Sequence, residues 1–253
     1  HLVVAGATTA LNTIFYSGTS DINDFTSSGS GSIVLDDQVV GIKSFRGDLI
    51  IFCKNSIYKL SDINISASIA VTPITQNVGC LDGHSIQEIG GDLLFLSPDG
   101  FRLVAGTARI GDVELSSVSR QIQSIVSSIA GSIDSFIISS AVLRNKSQYR
   151  LFYSSSTGST ATSKGIIGTI TPNGFEWSET IGIQAHGFTS GFDNDSVEKI
   201  YHGDKDGYVY NHNTGNDFNP AGTQTNIDAR YKTPNLDFGD AGTLKSLHYT
   251  KIS

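Results

Sequence analysis

The sequence predicts an all-β fold assembled from strand-rich units of about forty-odd residues, and three observations predict it. The composition is the first: of 253 residues, 38 % are apolar and 16 % charged, with 27 Gly and 5 Pro. That balance is too apolar for a disordered chain and too lightly charged for a coiled coil, whereas abundant Gly and Ser suit many short strands joined by tight turns. The second is an internal similarity, and the third is a set of Asp-Gly and Gly-Asp turn signals between short apolar runs. A chain of this length buries a sizeable core as one large β domain, or as one domain with a small appendage.

The similarity is clearest between two stretches about 44 residues apart. Ser44-Phe45-Arg46-Gly47-Asp48-Leu49-Ile50-Ile51-Phe52 is matched by Glu88-Ile89-Gly90-Gly91-Asp92-Leu93-Leu94-Phe95-Leu96, and Asn55-Ser56-Ile57-Tyr58-Lys59-Leu60 by Asp99-Gly100-Phe101-Arg102-Leu103-Val104. Each copy reads as strand, Gly-Asp turn, apolar strand, two-residue polar turn, alternating strand. Asp99-Gly100 is a hairpin signal because Gly accepts the positive φ such turns require. A weaker copy runs from Lys199 to Tyr210, around Asp206-Gly207, and partial copies end in aromatic-aromatic-Ser at Phe15-Tyr16-Ser17 and Phe152-Tyr153-Ser154. A unit of this size with several strands is that of a propeller blade, which cannot bury both faces until neighbours stack on it. The expected architecture is a β-propeller with about five blades wholly or partly present.

One segment departs from the strand pattern. Between Ser116 and Ile129 the apolar residues fall at Val118, Ile122, Ile125, Val126 and Ile129, which is helical periodicity with a Ser available as N-cap. It predicts one short amphipathic helix of about three turns between blades. Ser154 to Lys164 reads as a surface loop or wide hairpin end. The expected domains are a propeller over 1–215, a linker over 216–225, and over 226–253 either the start of a second β domain or a return strand closing the propeller. The chain has no Met and begins at His1 in what reads as a strand, so an interior piece of a longer polypeptide is expected.

The formal net charge of −7 argues against a surface built to hold nucleic acid by phosphate neutralisation, though not against a duplex passing without being bound. No apolar stretch reaches the roughly 18 residues of a spanning helix, and no signal peptide is visible. Cys53 and Cys80 form no CxxC; Cys53 sits in an apolar run and reads as a small buried hydrophobe, with a disulfide left open. No metal site and no cofactor are expected, and there is no P-loop or G-x-S-x-G elbow.

Several constellations are weighed against plain structural roles. Asp204-Lys205-Asp206-Gly207 has alternate carboxylates ending in Gly, as in a calcium loop, but lacks the later acidic ligand; a hairpin turn is favoured. Ser97-Pro98-Asp99-Gly100-Phe101 shares part of the Asp-box of sialidase-type propellers, whose chemistry needs an arginine cluster; here Arg46, Arg102, Arg109, Arg120, Arg144, Arg150 and Arg230 are dispersed. Glu176 and Glu179 flank Trp177, the only tryptophan, as on a carbohydrate platform, yet a blade-core Trp is favoured. His202 and His212 bracket a hairpin and can approach each other, with a structural role favoured. No catalytic, cofactor-binding or metal residue is assigned.

Taken in order, His1-Leu2-Val3-Val4-Ala5-Gly6, Ile14-Phe15-Tyr16-Ser17, Gly79-Cys80 before His84-Ser85-Ile86, Leu94-Phe95-Leu96-Ser97-Pro98-Asp99-Gly100, Val118-Ser119-Arg120-Gln121-Ile122 and Tyr231-Lys232-Thr233-Pro234 with Leu236-Asp237-Phe238-Gly239 resemble the tail proteins of short-tailed bacteriophages: the tail nozzle, or tail tubular protein B, and the tail-hub stabilisation proteins. The resemblance spans most of the chain. It implies a non-enzymatic propeller-bearing virion subunit in a ring, usually of six copies, assembled in the host cytoplasm. Its partners would be copies of itself, the adaptor and portal-side tail proteins and the tail fibres, with double-stranded DNA passing during genome ejection. Such proteins are generally much longer. The alternative is a glycan-binding or sialidase-like propeller acting at a cell surface; a generic WD40-type scaffold lacks its recurring Trp-Asp and Gly-His signatures here.

Overall fold

The structure is a computed structural model that describes residues 1–19, 21–63, 68–105, 117–155, 162–180, 182–212, 214, 226 and 230. The chain divides into two compact units, His1–Gly215 and Asn216–Ser253. The expected linker, the segment after it apart from residues 226 and 230, Arg109 and most of the loop from 154 to 164 lie outside the described residues.

The described part of the first unit is an all-β, propeller-like stack of five antiparallel sheets taken in chain order. Sheet 1 comprises β1 (Val3–Ala7), β2 (Ala10–Tyr16) and β3 (Gly31–Val34), and sheet 2 comprises β4 (Val39–Phe45), β5 (Asp48–Cys53), β6 (Ile57–Ser61) and β7 (Ala70–Thr75). Sheet 3 holds β8 (Gln87–Ile89), β9 (Asp92–Ser97) and β10 (Gly100–Leu103). Sheet 4 holds β11 (Phe136–Leu143), β12 (Gln148–Ser155), β13 (Ser163–Thr171) and β14 (Gly174–Thr180). Sheet 5 holds β15 (Gly187–Phe192), β16 (Glu198–Gly203) and β17 (Val209–Asn211). Every sheet is an up-and-down meander, so each blade is built from consecutive hairpins.

The middle strands show why the sheets stack on one another. Side chains alternate across a strand, and in β5 Ile51 and Cys53 pack towards sheet 1 while Ile50 and Phe52 pack towards sheet 3. In β9 Leu93 and Phe95 join sheet 2, whereas Leu94 and Leu96 join sheet 4. In β12 Tyr149, Leu151 and Tyr153 face sheet 3 and Phe152 faces sheet 5. Strands buried on both faces read as continuous apolar runs, and a two-layer sandwich would leave one face of each solvated. The first strands of successive sheets lie against one another at β1 and β4, β8 and β11, and β11 and β15, as strands around a common axis do.

The second strand of each sheet, β2, β5, β9, β12 and β16, coincides with a repeat copy read from the sequence. The β4–β5 and β8–β9 hairpins are closed by Arg46-Gly47 and Gly90-Gly91, all four at positive φ, the two-residue loop that matches strand twist. Arg46 of one tip donates to the Gly91 carbonyl of the next. At the Asp99-Gly100 signal the loop residues are Pro98 and Asp99, and Gly100 opens β10 at φ 147. A Cβ there would lie 2.0 Å from Ser117 Oγ.

The expected helix is shorter than its periodicity. Arg120–Ile122 form a 3₁₀ turn that runs into α1 (Gln123–Ala130), burying Ile122, Val126 and Ile129 between sheets 3 and 4. Ser119 does not cap it: its hydroxyl accepts from the buried Phe101 N–H at 2.9 Å instead. Cys53 and Cys80 are free, buried, and in different cores. Burial pushes their thiols up to about 11 and about 12, which leaves them unreactive.

Candidate functional site

Four first strands converge on one cleft of about 290 Å³, lined by Ile42 and Lys43 of β4, the 3₁₀ turn Gly83–Ser85 through Gly83 and His84, Gln87 of β8, Ser139 and Ser140 of β11, and Phe188 of β15. Its walls are close because two backbones meet without side chains: a Cβ on Gly41 would lie 3.0 Å from Gly83 Cα, and one on Gly83 2.7 Å from the Val40 carbonyl. Gly79 is tighter still, since a Cβ there would fall 2.0 Å from the Lys54 carbonyl oxygen. The Gly79-Cys80…His84-Ser85 motif is therefore a packing hub. Ser85 Oγ accepts from Leu96 N at 3.1 Å, and its carbonyl accepts from the buried Tyr149 hydroxyl at 2.8 Å.

Ser139 and Ser140 are neighbours on opposite faces of β11 and stitch it both ways. Ser139 Oγ donates to the Phe188 carbonyl at 3.0 Å and accepts from the Phe188 N–H at 2.8 Å. Ser140 Oγ donates to the His84 carbonyl, while Gln87 Nε2 donates to the Ser140 carbonyl at 3.0 Å. Asp82, His84 and Ser140 thus lie together, but not as a nucleophilic triad. The hydroxyl is spent on a main-chain carbonyl, and the His84 ring, 80 % exposed, turns to Asp82 Oδ1 at 3.1 Å. A base must reach the nucleophile's proton to activate it. What the cleft presents is one ammonium, one exposed imidazole and neutral polar groups.

The other sequence candidates take structural positions. Asp204 uses its carboxylate to anchor its own hairpin, accepting from Asp206 N and Tyr208 N at 2.9 Å each and from the Tyr210 hydroxyl at 3.1 Å. Asp99 of the partial Asp-box accepts from Ser97 Oγ and from the buried Arg102 guanidinium, whose bond holds the carboxyl below its usual range. Of the described arginines, Arg46 lies at a hairpin tip, Arg102 in sheet 3, and Arg144 over the Phe192 ring. Trp177 is a wall of the sheet 3–4 core, stacked on Phe101 at 4.8 Å and Phe175 at 5.6 Å with its indole N–H given to the Val118 carbonyl at 2.7 Å. Because residues alternate along β14, Glu176 and Glu179 lie on opposite faces and form no carboxylate pair. His202 and His212 do meet, ring centroids 4.4 Å apart, joined by a nitrogen–nitrogen hydrogen bond. Sequence reasoning missed their third member: Arg150 Nη1 lies 3.4 Å from His212 Nδ1.

Among the described residues no group of three or more His, Cys, Asp and Glu could hold a metal ion, and no helix is long and apolar enough to cross a membrane.

No family model and no curated protein matches the chain. Among solved structures, the chain is similar to the N-terminal domain of Nup159, with 11 % identity and a TM-score of 0.47 over 80 % of this chain and 56 % of that one. It is also similar to BBS1N, solved in complex with ARL6DN, with 10 % identity and a TM-score of 0.34 over 90 % of this chain and 79 % of that one. Both are β-propeller domains. The chain thus spans about half the length of the Nup159 domain it matches.

Proposed function

We propose that this chain is a structural module of a bacteriophage tail, part of a nozzle or hub ring that forms or supports the conduit for genome ejection. The observation that carries the reading is the ordered set of sequence motifs that resembles those of tail nozzle and hub proteins. The packing roles of those motifs support it. Gly79-Cys80 and His84-Ser85 build the hub between sheets 2, 3 and 4, Leu94 to Gly100 supply β9 and its hairpin, and Val118 to Ile122 lead into α1. These residues are spent on rigidity, and rigidity is what a ring subunit under ejection load needs. A net charge of −7 suits a surface past which DNA moves without being held, because affinity through counterion release requires clustered cations.

The test is the mass and symmetry of the full chain at micromolar concentration, by native mass spectrometry and particle averaging. A closed ring, with six copies expected, supports the reading. A monomer that stays monomeric when mixed with adaptor-type tail proteins overturns it. Duplex DNA should show no salt-dependent retention on the particles.

A further inference from the structure

Sheets 4 and 5 meet over a line of three nitrogen-bearing side chains. Arg150 comes from β12, His202 from β16, and His212 follows β17. Arg150 and His202 are both buried. A guanidinium is always a donor, so His212 Nδ1, 3.4 Å from Arg150 Nη1, must be the acceptor. The proton of neutral His212 is then on Nε2 and is donated to His202 Nδ1, which puts the His202 proton on its own Nε2. That atom is buried with no hydrogen-bond partner.

Three aromatic rings and one carboxylate surround the pair among the described residues. His212 packs edge-on to Phe152 and Phe188, with centroids at 6.2 and 5.3 Å, and His202 stacks on Tyr210 at 4.8 Å. Among the described residues, the charged and titratable groups facing the pair are Arg150 from β12, Asp204 from the β16–β17 turn, and Tyr210 from β17. Arg150 is itself held by Gln148 Oε1 at 2.9 Å.

In this line one extra proton has no place. On His202 Nδ1 it opposes the His212 Nε2–H; if His212 changes tautomer to make room, its Nδ1–H opposes Arg150. We propose that the Arg150–His212–His202 line is a pH-sensitive latch, which holds sheet 5 against sheet 4 while both imidazoles are neutral and lets go when either is protonated. Burial, His202 and Arg150 push His212 down to about 3. Burial lowers His202 as well, against the opposing pull of Asp204. Both folded values lie below the ordinary histidine value near 6.5. The released state therefore binds more protons, and docking is complete above about pH 6.5 and lost as pH falls towards the folded values.

Hydrogen exchange of the full chain between pH 7.5 and 5, corrected for intrinsic rates, tests this. Opening of residues 187–211 should rise by about thirtyfold or more between pH 7.5 and 5, the minimum from one histidine, while β5 and β9 keep their protection. The double variant His202→Gln, His212→Gln keeps the acceptor–donor order and cannot titrate, so its exchange should lose the pH dependence. Equal protection of 187–211 at both pH values, or an unchanged dependence in the double variant, overturns the latch. Ring-nitrogen NMR of the unaltered protein decides independently of any variant: both rings should be neutral at pH 6 with the proton on Nε2. A ring titrating at its ordinary value rejects the proposal.

Discussion

Sheet 4 is packed from both sides, and its two faces do different chemistry. Towards sheet 3 it presents Ile138, Val142, Tyr149, Leu151 and Tyr153, sealed by α1 and by the stack of Trp177 on Phe101. Towards sheet 5 it presents Ala141, Leu143 and Phe152, but also Arg150 and the bonded hydroxyl of Ser139. The face towards sheet 3 is held mainly by burial, with neutral bonds from Ser140 and Tyr149 to main-chain carbonyls, none of which pH touches in the range where histidine titrates. The mixed face is held partly by directional bonds whose donors and acceptors must be in the right protonation state. One sheet thus joins a robust neighbour on one side to a conditional one on the other, and the difference is open to mutation.

The largest expected effect is on the apolar side. Phe101→Ala removes a fully buried ring that touches both Tyr149 and Trp177 and should cost about 3–5 kcal/mol in urea unfolding. The loss should be equal at pH 7.5 and 5.5. A cost below about 1 kcal/mol would mean that the sheet 3–4 core is not the stronger of the two. On the mixed side, Ser139→Ala strands both the N–H and the carbonyl of Phe188, and each buried orphan costs about 1–3 kcal/mol. Faster exchange should be confined to β15 and its neighbours, and spread into sheet 3 would erase the distinction between the faces. Tyr149→Phe deletes only the hydroxyl bonded to the Ser85 carbonyl. It should cost about 1 kcal/mol without pH dependence, as read from the urea midpoint.

What the sequence revealed follows the same division. The second strands were legible because burial on both faces demands unbroken apolar runs, so Leu49 to Cys53 and Leu93 to Leu96 announced themselves and their repeat. The first strands were legible only in part: β4 and β8 were read before their Gly-Asp turns, whereas β11 and β15 were not. β11 and β15 carry Ser139, Ser140 and Ser190, whose hydroxyls replace apolar contact with bonds to a neighbouring main chain. Serine in such a composition reads as loop. The helix was legible by period but over-long, because its first turn is 3₁₀ and Ser119, which precedes that turn, serves Phe101 instead of capping it. The approach of His202 to His212 could be read from a shared hairpin. Arg150 could not, being 62 positions from His212 and on another sheet. Partners fixed by stacking carry no local signal.

The smallest prediction separates the two sheet contacts by the acid each one feels. Asp99, at the tip of the β9–β10 hairpin, is held below the usual carboxylate range chiefly by its bond from Arg102, whose guanidinium is buried although the carboxylate is 58 % exposed. A carboxyl with a lowered folded pKa contributes stability above its unfolded value near 4 and loses it as pH falls through the folded one. Exposure and screening keep that contribution under about 1 kcal/mol. Sheet 3 should therefore be indifferent between pH 7 and 4.5, where sheet 5 already loosens, and yield slightly only below that. Asp99→Asn should flatten this last acid limb in a urea-midpoint series from pH 5 to 2.5 and leave the exchange of 187–211 unaltered. If it shifts the onset at sheet 5 instead, the two faces of sheet 4 are coupled through the sheet and do not answer to pH separately.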